Sequence, residues 1–357
     1  MSPQSATGAG NGTPTAGVFD VQPLPGANFG GLVTFSGGAD AQAAVAAVEA
    51  APNVLPQMLY DWNGFLFLRG MHAIADDAAL LVRLSRPFGK EVENYQETLT
   101  DPTKVHQTVP EILVVSNVPP VKRAPPARPN PPLTADGKLP TQFPHRRGWH
   151  TDQSYRRPPP DLSLFFAAVA APKDQAQTLY ANGILAYEAL SPKMKERVDD
   201  LQGIHAKPGS GRSESAVLAG ETPEDLGPEA QPQRQPVVRT HPVTGQRALF
   251  MCERGQMDWI DGPFVGMEPG PHGDGAKLLY ELMSHYTSPA FTYTHEWEQG
   301  DLVIYDNRSL IHAATWFDAD KHDRVMWRTT VWGNPGEEYA GEDKSWTPES
   351  RAEMLGG

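Results

Sequence analysis

Short apolar segments separated by glycine and proline dominate the hydrophobic pattern of this chain. Runs of about four to eight apolar or alternating residues bounded by turn residues are typical of β-strands. The pattern predicts strands at 18–24, 31–35, 64–70, 112–116, 162–171, 178–180, 237–240, 247–252 and 291–297, and in the segments that contain residues 302–313 and 324–333. Many short strands with few helices predict a mainly β chain with flanking helices, folded as a double-sheet jelly roll, also called a double-stranded β-helix.

Helical spacing is confined to four segments. An Ala-rich helix is predicted at 41–51, and an amphipathic helix at 76–86 that begins near Asp76 and ends at a proline. Helical spacing also covers 185–201 and 274–285. The predicted strands at 237–240 and 247–252 should pair as a hairpin.

Three stretches lack either pattern. Residues 1–17 are small and polar, too poor in apolar side chains to offset the entropy of ordering, and we expect a disordered tail. Residues 119–147 are so rich in proline that they predict a long loop, and 208–236 is a second irregular stretch. We therefore expect one jelly-roll domain over 18–340 with a proline-rich insertion at 119–147, followed by a C-terminal tail at 341–357.

Charge and cysteine content narrow the cellular setting. A formal net charge of −13 disfavours nucleic-acid or membrane-surface partners, whose phosphates such a surface would repel. Cys252 is the only cysteine, so nothing requires an oxidising compartment. The sequence contains no apolar run of about 18 residues and no signal-peptide pattern at its N-terminus. The expected location is the cytoplasm, and the sequence leaves open assembly into a homo-oligomer.

Candidate metal chemistry centres on His150, Asp152 and His312. On an extended strand, His150 and Asp152 point to the same face and can hold one ion. His312 follows the apolar run 300–311 and supplies a third ligand. Two histidines and one carboxylate on one face of a metal are typical of non-heme Fe(II) oxygenases. The alternative is that these side chains only satisfy hydrogen bonds in a β core.

Two arginines follow the last of these ligands. Arg324 and Arg328 lie 12 and 16 residues after His312 in the sequence. Their even separation places both guanidinium groups on one face of a strand. A planar guanidinium favours a bidentate pair with a carboxylate. The segment therefore predicts an anion clamp near the metal.

In combination these motifs resemble the taurine dioxygenase and 2,4-dichlorophenoxyacetate dioxygenase group of Fe(II)/2-oxoglutarate enzymes. The matching segments occur in the family's order over residues 59–333. They are Trp149 to Asp152, Pro158-Pro159, Gln177 to Asn182, Ala186 to Ser191, Thr240 to Pro242, Ala248 to Phe250 and Gly300 to Gly333.

The resemblance implies an activity and a set of roles. The enzyme would use Fe(II), 2-oxoglutarate and O2 to oxidise a small organic substrate, expected to be anionic, with release of succinate and CO2. Arg324 matches the arginine that pairs with the distal carboxylate of 2-oxoglutarate, and Thr178 matches a threonine hydrogen-bonded to that carboxylate. Arg328 matches an arginine that meets an anionic substrate group, with support of Arg324 as an equal alternative.

Substrate candidates come partly from a local reversal of charge. The segment 119–160 has eight basic residues against two acidic ones. The basic residues are Lys122, Arg123, Arg128, Lys138, Arg146, Arg147, Arg156 and Arg157, and the acidic ones are Asp136 and Asp152. We expect either a lid that steers an anion to the metal or a solvated loop. The candidates for substrate contact are Arg328, Arg146, Arg254, Asn94 and Tyr95, and for Glu253 with Arg254 a solvated charge pair is an equal alternative.

A competing hypothesis is a cupin-like protein that binds metal or ligand without catalysis. Arg324 and Thr178 discriminate against it, since such a pair has no purpose without a dicarboxylate. A metal hydrolase would need a general base beside the metal, and the sequence offers no clear candidate.

Overall fold

The computed structural model describes residues 18–36, 40–98, 100–128, 133, 135, 137–253 and 256–346. Fifteen strands and eight α-helices lie within this part of the chain. The strands are β1 Phe19–Pro23, β2 Gly31–Phe35, β3 Phe65–Leu68, β4 Glu91–Val92, β5 Leu113–Ser116, β6 Leu162–Val169, β7 Thr178–Asn182, β8 Gln202–His205, β9 Gln233–Pro236, β10 Val238–Thr240, β11 Arg247–Leu249, β12 Thr292–His295, β13 Leu302–Asp306, β14 Leu310–Ala314 and β15 Val325–Trp332. The helices are α1 Ala41–Ala50, α2 Val54–Asp61, α3 Ala73–Asp76, α4 Ala79–Ser85, α5 Gly183–Glu188, α6 Pro192–Val198, α7 Glu214–Ala219 and α8 Asp274–Tyr286.

The chain is a mixed α and β structure, and two sheets contain most of its described strands. The larger sheet has eight strands in the order β1-β2-β3-β13-β6-β15-β4, with β5 also paired to β15. The smaller sheet has three strands in the order β12-β7-β14. Strand β13 pairs with β3 on one side and β6 on the other, and all five of its residues are buried. Its first four residues, Leu302 to Tyr305, are apolar or aromatic, which suits this central position.

The two sheets share a core. Phe65, Val303 and Tyr305 of the larger sheet pack with Tyr180 and Leu310 of the smaller one in a single buried cluster. The opposite face of the larger sheet is covered by α1 and α4, because their apolar faces join the cluster formed by the outward side chains of β6 and β13. Part of the buried interior therefore lies between the two sheets.

Two predicted helices have different bounds in the structure. The helix predicted at 76–86 corresponds to α4, Ala79–Ser85, and begins later than predicted, because Asp76 ends α3 and Asp77, with a φ of −133° and a ψ of 89°, is not helical. The Asp77 carboxylate then accepts the backbone N–H of Ala79 at 3.1 Å and starts α4. Helical spacing at 185–201 is likewise interrupted, since Ser191 caps α6 and Pro192 occupies its first turn.

Two further predictions are confirmed, and one is wrong in part. The hairpin is confirmed by the antiparallel pairing of β10 and β11, and the helix predicted at 274–285 is confirmed as α8. The prediction that 208–236 is irregular is wrong in part, because it contains α7 and β9. Sequence alone missed α7, which is capped by Ser213 and ends at Gly220 with a φ of +69°.

The predicted tails and insertion are only partly covered by the structure. The tail at 1–17 lies outside the described residues, as do 347–357 of the C-terminal tail. Residues 341–346 contact the rest of the chain, with Lys344 paired to Glu91 at 2.6 Å. The described residues of the insertion 119–147 contain neither helix nor strand. No helix in the described part of the chain is long and apolar enough to cross a membrane.

Candidate metal centre

A backbone bridge brings two of the predicted ligands together. The N–H of His150 donates to the carbonyl of His312 at 2.9 Å, and the N–H of His312 donates to the carbonyl of His150 at 2.7 Å. Strand β14 holds His312 against Tyr180 of β7 in the smaller sheet. The two imidazole rings consequently lie with their centroids 4.3 Å apart.

The third ligand reaches the site through a turn. The prediction that His150 and Asp152 share an extended strand is wrong, because only His150 forms a strand bridge and Gln153, with a φ of +50°, belongs to the turn that follows. The turn is held by Asn307, whose side-chain oxygen accepts the backbone N–H of Asp152 at 3.4 Å. His150, Asp152 and His312 nevertheless each offer a ligand atom within 4.8 Å of the others.

Both histidines are held in a state suited to metal binding. The Nδ1–H of His150 donates to the carbonyl of Gly148 at 2.8 Å, which leaves the lone pair on Nε2. Gly148 has a φ of +95°, so this tight turn favours glycine. Burial lowers the pKa of His312 to about 3, helped by neighbouring His150, so its ring is neutral at physiological pH.

A closed ring of hydrogen bonds orients the Asp152 carboxylate. Its Oδ2 accepts hydroxyl hydrogen bonds from Ser163 at 3.0 Å and Tyr305 at 2.7 Å. The side-chain amide of Asn307 donates to the Ser163 hydroxyl at 3.0 Å and accepts from the Asp152 backbone. Oδ1 of Asp152 lies 3.9 Å from Nε2 of His312. Oδ2 thereby accepts from two hydroxyl donors, whereas Oδ1 faces His312 and the guanidinium of Arg328.

The guanidinium of Arg328 contacts the same carboxylate. Its Nη1 donates to Oδ1 of Asp152, and both side chains are buried. Burial alone would raise the pKa of Asp152, but Arg328 and then His312 outweigh it and hold this pKa well below its usual range. The carboxylate of this candidate ligand is therefore ionised at neutral pH.

Arg324 and Thr178 line the same cavity as the two candidate ligands His150 and His312. The cavity has a volume of about 250 Å3. Arg324 is only 8% exposed, its Nε has no hydrogen-bond partner, and none of the described acidic residues pairs with it. Burial lowers the pKa of Arg324 to about 10, which still leaves it charged at neutral pH. The Thr178 hydroxyl accepts the indole N–H of Trp297 at 2.9 Å, so its own proton can donate elsewhere.

Part of the proline-rich insertion forms a wall of this cavity. Arg123, Pro125 and Pro126 line it beside Arg328. Of the basic residues predicted to form an anion-steering rim, Arg123 is the only insertion residue that the described structure places in this wall. The side chain of Arg123 is exposed at its position there.

Other basic residues of the segment are paired with acidic ones. Arg147 pairs with Glu253 at 3.0 Å, and Arg156 pairs with Glu93 at 2.6 Å. Arg157 pairs with Glu342 at 2.7 Å. These ion pairs reduce the positive field that the sequence alone predicts.

The structure separates the remaining substrate candidates. The hydroxyl of Tyr95 lies 2.7 Å from that of Thr330, and its ring is buried beside Arg328. Asn94 lines a different pocket with Glu93, and Arg146 lines a neighbouring cavity. Neither lies in the wall of the metal cavity as described.

The last candidate pair gives a mixed result. Arg254 lies outside the described residues. The alternative reading of Glu253 as a solvated charge is wrong, because it is 2% exposed and accepts the backbone N–H of Gly148 at 2.6 Å. It supports the turn that leads into His150.

Comparisons with known proteins assign the chain to a family. The family described as Taurine catabolism dioxygenase TauD, TfdA family matches residues 39–330. The chain belongs to this family. Among curated relatives, this TauD/TfdA protein is 32% identical over 197 residues to the (S)-phenoxypropionate/alpha-ketoglutarate-dioxygenase of Sphingobium herbicidovorans, covering 54% of this chain and 64% of that protein. It is 30% identical over 183 residues to the alpha-ketoglutarate-dependent 2,4-dichlorophenoxyacetate dioxygenase of a Burkholderia species, covering 51% of this chain and 57% of that protein.

Solved structures extend the similarity along the chain. A taurine dioxygenase from Burkholderia xenovorans superposes with a TM-score of 0.58 at 25% identity, covering 89% of this chain and 92% of that one. The alignments to the two curated relatives, by contrast, span less than two thirds of those proteins. The TauD/TfdA fold is thus shared over most of the chain.

Sequence reasoning missed two of the residues that orient Asp152 in this TauD/TfdA protein. Ser163 and Tyr305 are buried and read as ordinary strand residues, whereas the position of Asn307 shortly before His312 predicts a role in a turn or in support of the ligands rather than in direct catalysis. The only available signal was the presence of hydroxyl and amide side chains in otherwise apolar runs such as Leu302–Asp306. Buried polar groups of this kind require partners, and here the partner is the candidate metal ligand.

Proposed function

We propose that this chain is an Fe(II)/2-oxoglutarate-dependent dioxygenase that oxidises a small anionic organic substrate. The observation that carries the proposal is the buried, unpaired guanidinium of Arg324 in the same cavity as His150 and His312. An uncompensated buried cation is costly, so such a site favours an anionic ligand. A dicarboxylate that reaches both the metal ligands and Arg324 fits this need.

We also propose that the chain folds as a double-stranded β-helix. The eight-stranded and three-stranded sheets would be the two layers of a double-stranded β-helix, which is the fold expected for the family. The shared core of Phe65, Tyr180 and Tyr305 between the sheets supports this assignment. Such an interior would keep the reaction away from bulk water.

The donor set fits a divalent iron ion. Neutral imidazoles and one carboxylate suit non-heme iron and leave positions for further ligands. His150, Asp152 and His312 would hold the ion, whose chemistry when bound is the oxidation of substrate coupled to conversion of 2-oxoglutarate into succinate and CO2. Arg324 and Thr178 would bind and orient the distal carboxylate of 2-oxoglutarate by charge-assisted hydrogen bonds.

Charge in the cavity supports an anionic substrate. Three arginines, Arg123, Arg324 and Arg328, line it. Asp152 neutralises one charge through Arg328, and the distal carboxylate of 2-oxoglutarate would neutralise Arg324. Arg123, which forms no ion pair with any described residue, would receive the substrate anion together with Arg328.

The test is a substrate screen read out by mass spectrometry. Protein loaded anaerobically with Fe(II) receives 2-oxoglutarate, oxygen and a panel of phenoxyalkanoates, sulfonates and other small organic acids. We expect at least one substrate to gain oxygen or lose hydrogen in proportion to the succinate formed. The matched control is Asp152→Ala, which should form neither product. Equal succinate formation by the wild-type protein and this control would contradict the proposal.

A further inference from the structure

A second cavity adjoins the metal cavity and contains a buried cation. Its volume is about 370 Å3, and Thr315 lies in the wall of both cavities. The Thr315 hydroxyl donates to the side-chain carbonyl of Gln177 at 2.7 Å, and Gln177 also lines the second cavity. Only one layer of side chains thus separates the two spaces. We call the second space the Arg146 cavity.

Arg146 is unusual because its charge is buried without compensation. It is 4% exposed, and the hydrogen bond that the structure shows for its guanidinium runs from Nε to the carbonyl of Pro140 at 3.1 Å. Its Nη2 is buried and has no partner. No acidic residue in the described part of the chain forms an ion pair with it. Burial lowers the pKa of Arg146, as expected for a cation that has lost water without gaining a carboxylate.

The other charged residues of the Arg146 cavity do not supply the missing anion. Asp318 pairs with Lys321 at 2.7 Å, and Asp174 is exposed. Arg128 adds a second guanidinium, which stacks over the ring of Trp316 at 4.8 Å. The cavity therefore combines two arginines with an aromatic wall, which suits an oxyanion attached to an apolar group.

We infer that the Arg146 cavity is a second anion-binding site, distinct from the metal cavity, which takes a carboxylate-sized or phosphate-sized oxyanion on Arg146. This inference does not rest on the proposed oxygenase activity. The oxyanion could be a free ion or the acidic end of a larger organic ligand, and the two share the same recognition by the guanidinium. An apolar group on the ligand would contact Trp316.

Calorimetric titration of the full-length, metal-free protein tests the inference. Inorganic phosphate is the first probe and phenyl phosphate the second. In the wild-type protein we expect a binding component that is weakened at least tenfold in Arg146→Met. Lys277→Met is the matched control, since Lys277 is exposed, pairs with Asp274 at 3.0 Å and lines neither cavity, and it should keep the component. Phosphate bound in the metal cavity would appear in all three proteins and cannot produce this difference.

The two probes separate the sources of the anion. Tighter binding of phenyl phosphate than of phosphate, lost in Arg146→Met, would assign the site to the end of an organic ligand. Equal affinities, also lost in Arg146→Met, would assign it to a free oxyanion. Unchanged binding of both probes in a folded Arg146→Met variant, or no binding component that depends on Arg146, would overturn the inference.

A second variant keeps the test decisive if Arg146→Met does not fold. Arg146→Lys retains the charge but loses the planar fork that binds two oxygens of one anion. We expect it to bind phosphate several-fold more weakly than the wild-type protein. Wild-type affinity in folded Arg146→Lys would contradict an oxyanion site on this guanidinium. Because no metal or turnover is involved, failure here leaves the proposed oxygenase activity untouched.

Discussion

Replacement of Tyr305 by phenylalanine should weaken metal binding without disturbing the fold. The Tyr305 hydroxyl donates to Oδ2 of Asp152 at 2.7 Å, and burial raises its pKa well above the usual value, so it remains a donor. Its ring fills the core between the sheets, where phenylalanine would occupy almost the same volume. The substitution therefore removes one hydrogen bond and little else.

The magnitude follows from the two donors on Oδ2. A hydrogen bond to a charged group contributes about 1.5–3 kcal/mol, but the metal-free protein loses it as well, so only part of this energy appears in metal affinity. The orientation of the carboxylate is the part that matters, and loss of such a supporting contact typically costs about 10–100-fold in metal affinity. Because Ser163 still holds Oδ2 at 3.0 Å, we expect the lower value, about tenfold, for Tyr305→Phe. Removal of both donors in Tyr305→Phe/Ser163→Ala should approach a hundredfold.

The assay is a titration of metal-free protein with Mn(II), followed by electron paramagnetic resonance of the unbound ion. Tyr339→Phe is the matched control, because its buried hydroxyl donates to Gln235 at 2.8 Å and does not line the metal cavity. The control should bind Mn(II) with wild-type affinity. If Tyr305→Phe and the double variant also bind as tightly as the wild-type protein while remaining folded, the hydrogen bonds do not position Asp152 and the reasoning fails.

Three further predictions concern single side chains. Arg324→Met should weaken 2-oxoglutarate binding by about ten- to a hundredfold, and Arg324→Lys should recover part of the loss, as measured by calorimetry. Burial raises the pKa of Cys252 to about 12, so its thiol should resist Ellman's reagent at mildly alkaline pH until the protein unfolds; rapid reaction of the folded protein would contradict this burial. Burial lowers the pKa of His205 to about 3, whereas the unfolded imidazole titrates near about 6.5. Between these values the unfolded chain binds a proton that the folded chain does not, so stability falls as pH falls, by about 1.4 kcal/mol per pH unit for this group. Urea unfolding at several pH values should show that the free energy of unfolding of His205→Gln depends less steeply on pH. An unchanged pH dependence would refute the assignment.

The sequence predicted those features of the fold that are local or periodic. The buried strand β13 and the helix α8 follow from apolar runs and spacing that extend over a whole element. The helix boundaries at Asp77 and Ser191 were missed, because they depend on single polar side chains within an otherwise helical pattern. The short helix α7 was missed for a related reason, since six residues carry too little periodicity to be recognised.

At the candidate site, too, local features of the sequence were predicted and long-range contacts were not. Ligand types and their order in the sequence were sufficient to predict that His150, Asp152 and His312 would come together, although the reason given, an extended strand, was wrong. The actual cause is a turn tied to Asn307, a contact between residues more than 150 positions apart in the chain. Pairing in three dimensions also decides which arginines remain available, as Arg147 illustrates by its ion pairs with Glu214 and Glu253. No spacing in the sequence encodes such long-range partners.

The central claim is that His150, Asp152 and His312 hold iron in a cavity where Arg324 receives 2-oxoglutarate. Anaerobic addition of Fe(II) and then 2-oxoglutarate, followed by visible absorption, tests this claim most directly, because chelation of the iron by the keto acid produces a charge-transfer band. We predict a saturable band in the wild-type protein, the same band at higher 2-oxoglutarate concentration in Arg324→Met, and no band in His312→Ala. A band of wild-type intensity and affinity in His312→Ala and Arg324→Met alike would contradict the account.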